Sequence, residues 1–329
     1  MTARYSTVLV TGATGMIGRQ VVEKLRPHAN EIVGVSLDRE PRDFSVPLLR
    51  LDLTDLCQAR EAVRGADLVV HIAGIKGSIE VTKSRPATFM TPLLQMNANV
   101  TAAAVLEGVQ KVIFTSSIGV YPSREVLREE DFSLETPPMD TFPGWAKRIA
   151  ELHLQSVALE TPEFEYAVVR PGNVYGPWDN FDPKNAMVVG SLLGKARASE
   201  DTVEVWGDGS AIRDFVYAAD VADLVAKIAQ RDQIGGVFNA GSGKRESIRD
   251  LVETCREVTG KDFVYTPDRS GGFPVRVLDI SRAQQELGWV PATSLADGIR
   301  STWDWLVSSV EVDSHRLNYF SKPLSRYQG

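Results

Sequence analysis

The chain has 329 residues, 43% hydrophobic and 24% charged, the make-up of a globular protein long enough for a large core or two lobes sharing one. A net charge of −7 with no basic run speaks against nucleic-acid binding. No signal peptide and no apolar run of membrane-spanning length is seen, so a cytoplasmic enzyme is expected.

Thr7 to Val10 read as a short buried strand, and Ile17, Val21, Val22 and Leu25 recur at helical spacing. Between them stand Gly12, Gly15 and Gly18, at three-residue spacing. Strand, glycine turn and helix in that order make a dinucleotide site: Gly12 permits the turn, Gly15 lets backbone approach a pyrophosphate on the helix N-terminus, and Gly18 lets helix and strand pack closely. A second strand, from Glu31, ends at Ser36, Asp38 and Arg39, with Arg42 beyond. A carboxylate there binds the ribose hydroxyls of NAD, whereas a small polar residue with a nearby arginine accommodates the 2′-phosphate of NADP. The sequence leans to NADP, and Asp38 keeps NAD open.

Leu49 to Leu51 form a third strand ending at Asp52 and Leu53, where Asp52 could accept from an adenine amino group. Thr54 or Asp55 could cap the helix through Val63. Asp67 to Ile72 make a fourth strand, running into the small residues Ala73 and Gly74. His71, within this strand, reads as a core histidine with satisfied hydrogen bonds. A helix is expected from Met96 to Val109, then a fifth strand from Lys111 into Thr115, Ser116 and Ser117. Ligands of open α/β sheets lie at the carboxyl ends of the strands, so Ser117 is well placed for chemistry. After a polar loop over 122–142, a helix starting at Pro143 carries Trp145 and Lys147. A sixth strand, Glu165 to Arg170, leads into Pro171, Asn173 and Val174. This alternation predicts an α/β fold with a doubly wound parallel sheet. Helices follow near 186–199, 219–230, 246–258 and 296–308, and 310–329 reads as a polar tail. Cys57 and Cys255, the only cysteines, both fall in helical patterns and read as buried free thiols, with no metal site.

Five stretches together resemble the extended short-chain dehydrogenases, the family of nucleotide-sugar epimerases, dehydratases and reductases. They are Thr11 to Gly18, Ser117 to Tyr121, Arg170 to Pro177, Trp206 to Gly209 with Arg213 to Tyr217 and Asp220, and Leu287 to Pro291. His71 to Ile79 and Tyr175 to Asn185 are most similar to the GDP-L-fucose synthase branch. The resemblance implies a Rossmann domain over 1–175 and about 213–240, and a nucleotide-sugar lobe over 176–212 and 241–309. It implies a homodimer built on the helices near 96–109 and 144–158. It assigns Gly12, Thr14, Gly15, Met16 and Ile17 to the pyrophosphate, and Ile72, Ala73, Gly74, Thr115, Lys147, Pro171, Asn173 and Val174 to the rest of the NADP or NAD. Lys76, Ser117, Asn173, Asn185, Lys195, Trp206, Arg213 and Arg276 would face a nucleotide sugar, with GDP favoured as its nucleotide. Arginine suits that place because its planar fork pairs with phosphate oxygens, although an ion pair of Arg213 with Asp214 or Asp220 is the alternative.

The family's chemistry uses Ser, Tyr and Lys, with Tyr four residues before Lys on one helix face. Ser117 and Lys147 are present, but Pro143 stands where the tyrosine belongs. The cysteine and histidine of the epimerising branch fall on Gly119 and Met187. Three readings follow. The first is an NAD(P)-dependent nucleotide-sugar oxidoreductase, acting as a 4-keto-sugar reductase or a C4 dehydrogenase. Its proton path would run through Ser117, Lys147 or a loop residue among Lys76, Glu80, Lys83, Tyr121, Asp140 and Thr141. The second is an epimerase or dehydratase with tightly bound cofactor. The third is an inactive binding protein.

Overall fold

The computed structural model describes residues 3–38, 41, 43–75, 77, 79–266 and 273–309. Arg39, Arg42, Lys76 and the 310–329 tail, all named above, lie outside them.

The chain starts with β1 (Tyr5–Thr11), α1 (Met16–Leu25), β2 (Ala29–Val35), β3 (Leu48–Leu49), α2 (Leu56–Val63) and β4 (Leu68–His71). Asp55 caps α2, its carboxylate accepting from the Gln58 amide at 2.9 Å, as expected for a short acidic side chain before a helix. There follow α3 (Ile79–Ser84), α4 (Pro86–Leu106), β5 (Lys111–Thr115), β6 (Val126–Leu127), α5 (Thr141–Glu160) and β7 (Glu165–Pro171). The helix α4 begins ten residues before the expected Met96. Pro86 stands at a first-turn position, where its missing N–H costs nothing, and the helix then runs through Pro92. Likewise α5 begins at Thr141, with Pro143 inside its first turn.

The second half contains β8 (Asn173–Tyr175), α6 (Val188–Ala198), β9 (Thr202–Trp206), β10 (Ile212–Arg213), β11 (Phe215–Tyr217) and α7 (Ala218–Ala229). It closes with β12 (Gly236–Ala240), β13 (Glu246–Ser247), α8 (Ile248–Thr259), β14 (Asp262–Thr266), β15 (Val277–Leu278), α9 (Ser281–Leu287) and α10 (Leu295–Ser308).

Seven parallel strands form the main sheet in the order β12-β7-β5-β4-β1-β2-β3, the doubly wound arrangement the alternating pattern predicts. Both faces are covered. Val8, Val10, Leu68, Val70 and Ile113 pack with residues of α1 and α7, while Leu9, Val69, Val112 and Phe114 pack with α2, α4 and α5. Each such fully buried side chain contributes roughly 1.5–3 kcal/mol. The strand order reverses between β1 and β4, which places a crevice at their carboxyl ends. A separate apolar cluster joins α6, α8 and α10 with Val203, Val205, Phe215 and Phe263. Around it lie the pairs β8–β11, β9–β14 and β10–β13. Cys255 belongs to this cluster, but Cys57 is exposed. As the second residue of α2, Cys57 lies off the face that carries Ala59, Ala62 and Val63 into the core.

Candidate active site

The crevice is lined first by backbone. Gly12 closes β1 at φ +66°, and a Cβ there would lie 2.9 Å from Ala73, so the ends of β1 and β4 meet through glycine alone. A Cβ on Gly18 would lie 2.1 Å from the Gly12 carbonyl, and one on Gly15 3.3 Å from it. Gly15 is the N-cap of α1 and puts no side chain on the helix's first amides. Those amides and the positive helix end are left for an anion. Thr14 and Met16 are buried beside them and Ile17 is half-buried.

At the end of β2 the Thr14 hydroxyl donates to the Asp38 carboxylate at 2.8 Å and meets the Ser36 hydroxyl at 2.8 Å. Ser36, Asp38 and the glycine turn are thus one cluster. Asp52 is bound locally, accepting from the Thr54 amide and hydroxyl at 3.0 and 2.7 Å, and Leu53 is buried. His71 is the core histidine expected. It lies between Thr11 and Asn97 at 2.7 and 3.0 Å, and burial, with the charge of Lys147 behind it, lowers its pKa to about 3.

The chemistry-bearing end lies where β5 meets α5. The Lys147 ammonium donates to the Thr115 carbonyl at 2.8 Å and lies 4.5 Å from the Phe114 ring centroid. A Cβ on Gly74 would come within 3.9 Å of its Nζ, which places the amine between the loop after β4 and the end of β5. Burial pushes the Lys147 pKa down to about 8, against the pull of Glu151 one turn further along the helix. Glu151 is itself held by Ser116 and by Arg170, whose Nη2 lies 2.5 Å from its carboxylate, and both partners of this ion pair are buried. Burial works against the Arg170 charge, but the Glu151 carboxylate outweighs it, so its pKa lies above the ordinary value. Tyr121, one of the loop residues considered as a proton relay, is not available. It is fully buried, donates to Asn239 at 2.6 Å and accepts from Arg170 at 3.0 Å. Its pKa is raised by burial. The Ser117 hydroxyl accepts from the Gly119 amide at 3.0 Å.

Across from these, Arg213 and Arg276 are neighbours. The Arg276 amide bonds the Ile212 carbonyl at 3.1 Å, and the Arg213 guanidinium bonds the same carbonyl at 2.8 Å. The alternative ion pairs of Arg213 do not form. Asp214 accepts from Ser242, Gly243 and Leu278, and Asp220 from the amides of Ala292 and Thr293. Burial, then the neighbouring Arg276 charge, lowers the Arg213 pKa. Arg276 bonds Asp140 at 3.3 Å and lies 4.1 Å from the Phe273 ring centroid. Asn173, on β8, donates to the Asp214 carbonyl at 2.9 Å. Pro171 ends β7, and Val174 is buried on β8. A Cβ on Gly77 would lie 2.9 Å from Asn185 Oδ1, so the Asn185 side chain meets the loop after β4. Lys195 and Trp206 form a separate group: the Lys195 ammonium is 5.1 Å from the half-exposed indole and donates to the Glu204 carbonyl at 2.8 Å. Among the described residues no cluster of three His, Cys, Asp or Glu could hold a metal ion.

Residues 8–241 match the NAD dependent epimerase/dehydratase family. The chain belongs to that family. A GDP-L-fucose synthase of Azorhizobium caulinodans is 30% identical over 93% of this chain and 97% of its own length. A dTDP-4-dehydro-6-deoxy-D-allose reductase of a Streptomyces species is 30% identical over 91% and 95%. Among solved structures, UDP-glucose 4-epimerase of Thermotoga maritima with UDP-glucose superposes at TM-score 0.81, with 27% identity over 93% of this chain and 100% of that one. MoeE5 with UDP-glucuronic acid and NAD does so at 0.80, with 28% identity over 92% and 99%. As a member of the epimerase/dehydratase family the chain is an NAD(P)-dependent enzyme, and its residues fit that cofactor. The glycine turn leaves a cradle that any Cβ would fill, and the Thr115 hydroxyl beside Lys147 is buried with no partner.

Sequence reasoning missed the pairing of Asp140 with Arg276. It also missed the Ser116–Glu151–Arg170 group under Lys147, although the four-residue spacing of Lys147 and Glu151 on one helix was a usable signal.

Proposed function

We propose that the chain is a nucleotide-sugar oxidoreductase that moves hydride at the sugar C4, as a 4-keto-sugar reductase or a C4 dehydrogenase, with GDP-sugars favoured. One observation carries the reading. Arg213 and Arg276 lie side by side, and no described carboxylate pairs with Arg213. Two adjacent cations, one of them uncommitted, suit a diphosphate. The nicotinamide, when bound, supplies or accepts the hydride. Lys147 holds its ribose and Ser117 orients the sugar oxygen. A relative named as a 4-dehydro-sugar reductase supports a reaction needing a single proton relay and no epimerising pair. Gly119 and Met187 agree with that, because neither can move a proton.

In this reading 1–175 with about 213–240 hold the cofactor, and 176–212 with 241–309 hold the nucleotide sugar. A homodimer through α4 and α5 is supported by Val105, Leu106, Ile149 and Leu159, which are apolar and exposed on those helices. No helix among the described residues is long and apolar enough to cross a membrane, and a place in the cytoplasm belongs to the same proposal.

The test starts with what the purified protein binds. Calorimetry should show reversible binding of NAD(H) or NADP(H), and reduced cofactor should be oxidised by a member of a panel of 4-keto-6-deoxy sugars carried on GDP and dTDP. A protein that binds none of the four cofactor forms, and releases none when denatured and examined by mass spectrometry, would sink the reading.

A further inference from the structure

We propose that Asp140, held by Arg276 in the space that a side chain at position 119 would fill, is the group that exchanges a proton with the sugar C4 oxygen. This rests on the oxidoreductase reading and names the relay that reading leaves open.

Three features single Asp140 out. First, it is the N-cap residue of α5, yet its carboxylate makes no capping bond. Asp at this position ordinarily caps the first helical amides, a contribution forgone here. The next residue, Thr141, has φ +25°, a strained value for a β-branched residue, and strain of this kind gathers at functional sites. Second, the carboxylate turns towards the end of β5. A Cβ built on Gly119 would lie 2.5 Å from Asp140 Oδ2, so only glycine at 119 lets the carboxylate stand there. The Gly119 amide is in turn bonded to the Ser117 hydroxyl, so carboxylate and serine flank one residue. Third, Arg276 reaches the other oxygen, Oδ1, at 3.3 Å, while the side chain of Asp140 stays 41% exposed and so open to a ligand. Three of the rival groups are committed or unsuited. Tyr121 is buried in its own network, the Lys147 ammonium is bonded to Thr115, and Thr141 offers only a neutral hydroxyl.

The proton balance is simple. In the oxidative direction the C4 O–H bond breaks and its proton goes to the Asp140 carboxylate, while the C4–H electron pair leaves as hydride. In the reductive direction Asp140 returns the proton to the forming alkoxide and is reprotonated by solvent. Arg276 is the hinge between binding and chemistry: a diphosphate that engages its guanidinium draws it away from Asp140 and leaves that carboxylate to the sugar.

The experiment compares wild type with Asp140→Asn on the 4-keto-sugar panel, together with the Kd of the cofactor and of GDP. Expected is a fall in kcat of at least 100-fold, the scale of a lost general acid–base, with cofactor Kd within twofold and GDP bound at least as tightly as before. A fall smaller than tenfold overturns the proposal, as does loss of cofactor binding in step with activity. If Asp140→Asn does not fold, Gly119→Ala displaces the same carboxylate and carries the same expectations. A wild type that turns over no sugar of the panel defeats the oxidoreductase reading itself, whereas an active wild type with an equally active variant defeats only the role of Asp140.

Discussion

At the turn between β1 and α1 the candidate site is made of backbone, whereas at the junction of β5 and α5 it is made of side chains. Both lie at the carboxyl edge of one sheet, and both need glycine: Gly12 and Gly18 in the first, Gly119 in the second. In the first the glycines are the candidate site, because what would hold a ligand is the row of amides they uncover. In the second the glycine makes room for a carboxylate brought from elsewhere. A backbone site tolerates almost no substitution. A side-chain site can be rebuilt from other segments, and Asp140 and Arg276, 136 residues apart, meet here.

The comparison breaks hardest if the support under the side-chain site is removed. Glu151→Ala leaves the Arg170 guanidinium buried without its charge partner, a loss of about 3–5 kcal/mol, which a urea titration would read as a lower midpoint. The same titration on Arg170→Met should show a smaller loss than Arg170→Ala, because the methionine refills the volume. Equal stability of Glu151→Ala and wild type would mean that the ion pair does not hold this end together.

At the backbone site, two neighbouring glycines should separate folding from binding. Gly18→Ala drives a methyl into the Gly12 carbonyl, 2.1 Å away, where neither backbone segment can yield. It should cost about 1–3 kcal/mol or more and abolish cofactor binding. Gly15→Ala meets the same carbonyl at 3.3 Å, so the fold should survive with a midpoint near wild type while the cofactor Kd rises about tenfold or more, the pyrophosphate being held off the amides. A cofactor Kd unchanged in Gly15→Ala would show that the anion does not approach at residue 15.

The contrast also explains what could be read before the structure was known. The strand, the glycine spacing and the amphipathic helix are local, so β1, α1 and the parallel sheet could be read directly, as could the core role of His71, while the α2 cap was narrowed to Thr54 or Asp55. The early start of α4 was less legible, because it includes two prolines, of which Pro86 stands harmlessly in the first turn and Pro92 lies inside the helix. Tyr121 was one of the loop residues considered, and the partners that commit its hydroxyl, Asn239 and Arg170, come from distant strands. The freedom of Arg213 was equally invisible. Asp214 is next to Arg213 in sequence and Asp220 is close by, and only tertiary contacts show that Ser242, Leu278 and the amides after Val290 have taken them.

The smallest expected effect is a pH dependence, and it bears on Lys147, one of the candidate site residues legible in the sequence. Lys147 titrates at about 8 in the folded protein, below its ordinary 10.5, because burial disfavours the ammonium. Below pH 8 it is charged in both folded and unfolded chains, and the cost of burying that charge is fully present. Between about 8 and 10.5 the folded protein has lost this proton and the unfolded chain has not, so the unfolded state binds more protons and stability rises with pH. Taking Lys147→Met as the reference cancels the other groups that titrate in this range. The difference in unfolding free energy between wild type and variant should then move in favour of wild type by about 1 kcal/mol from pH 8 to pH 9. Glu151 props up the Lys147 charge, so Glu151→Gln should start that rise at lower pH. A wild-type-minus-variant difference that stays flat from pH 7 to 10 would mean that the lysine keeps an ordinary pKa. An amine with an ordinary pKa would stay an ammonium throughout, which still suits the ribose-holding part proposed for it, the proton step being the one proposed for Asp140.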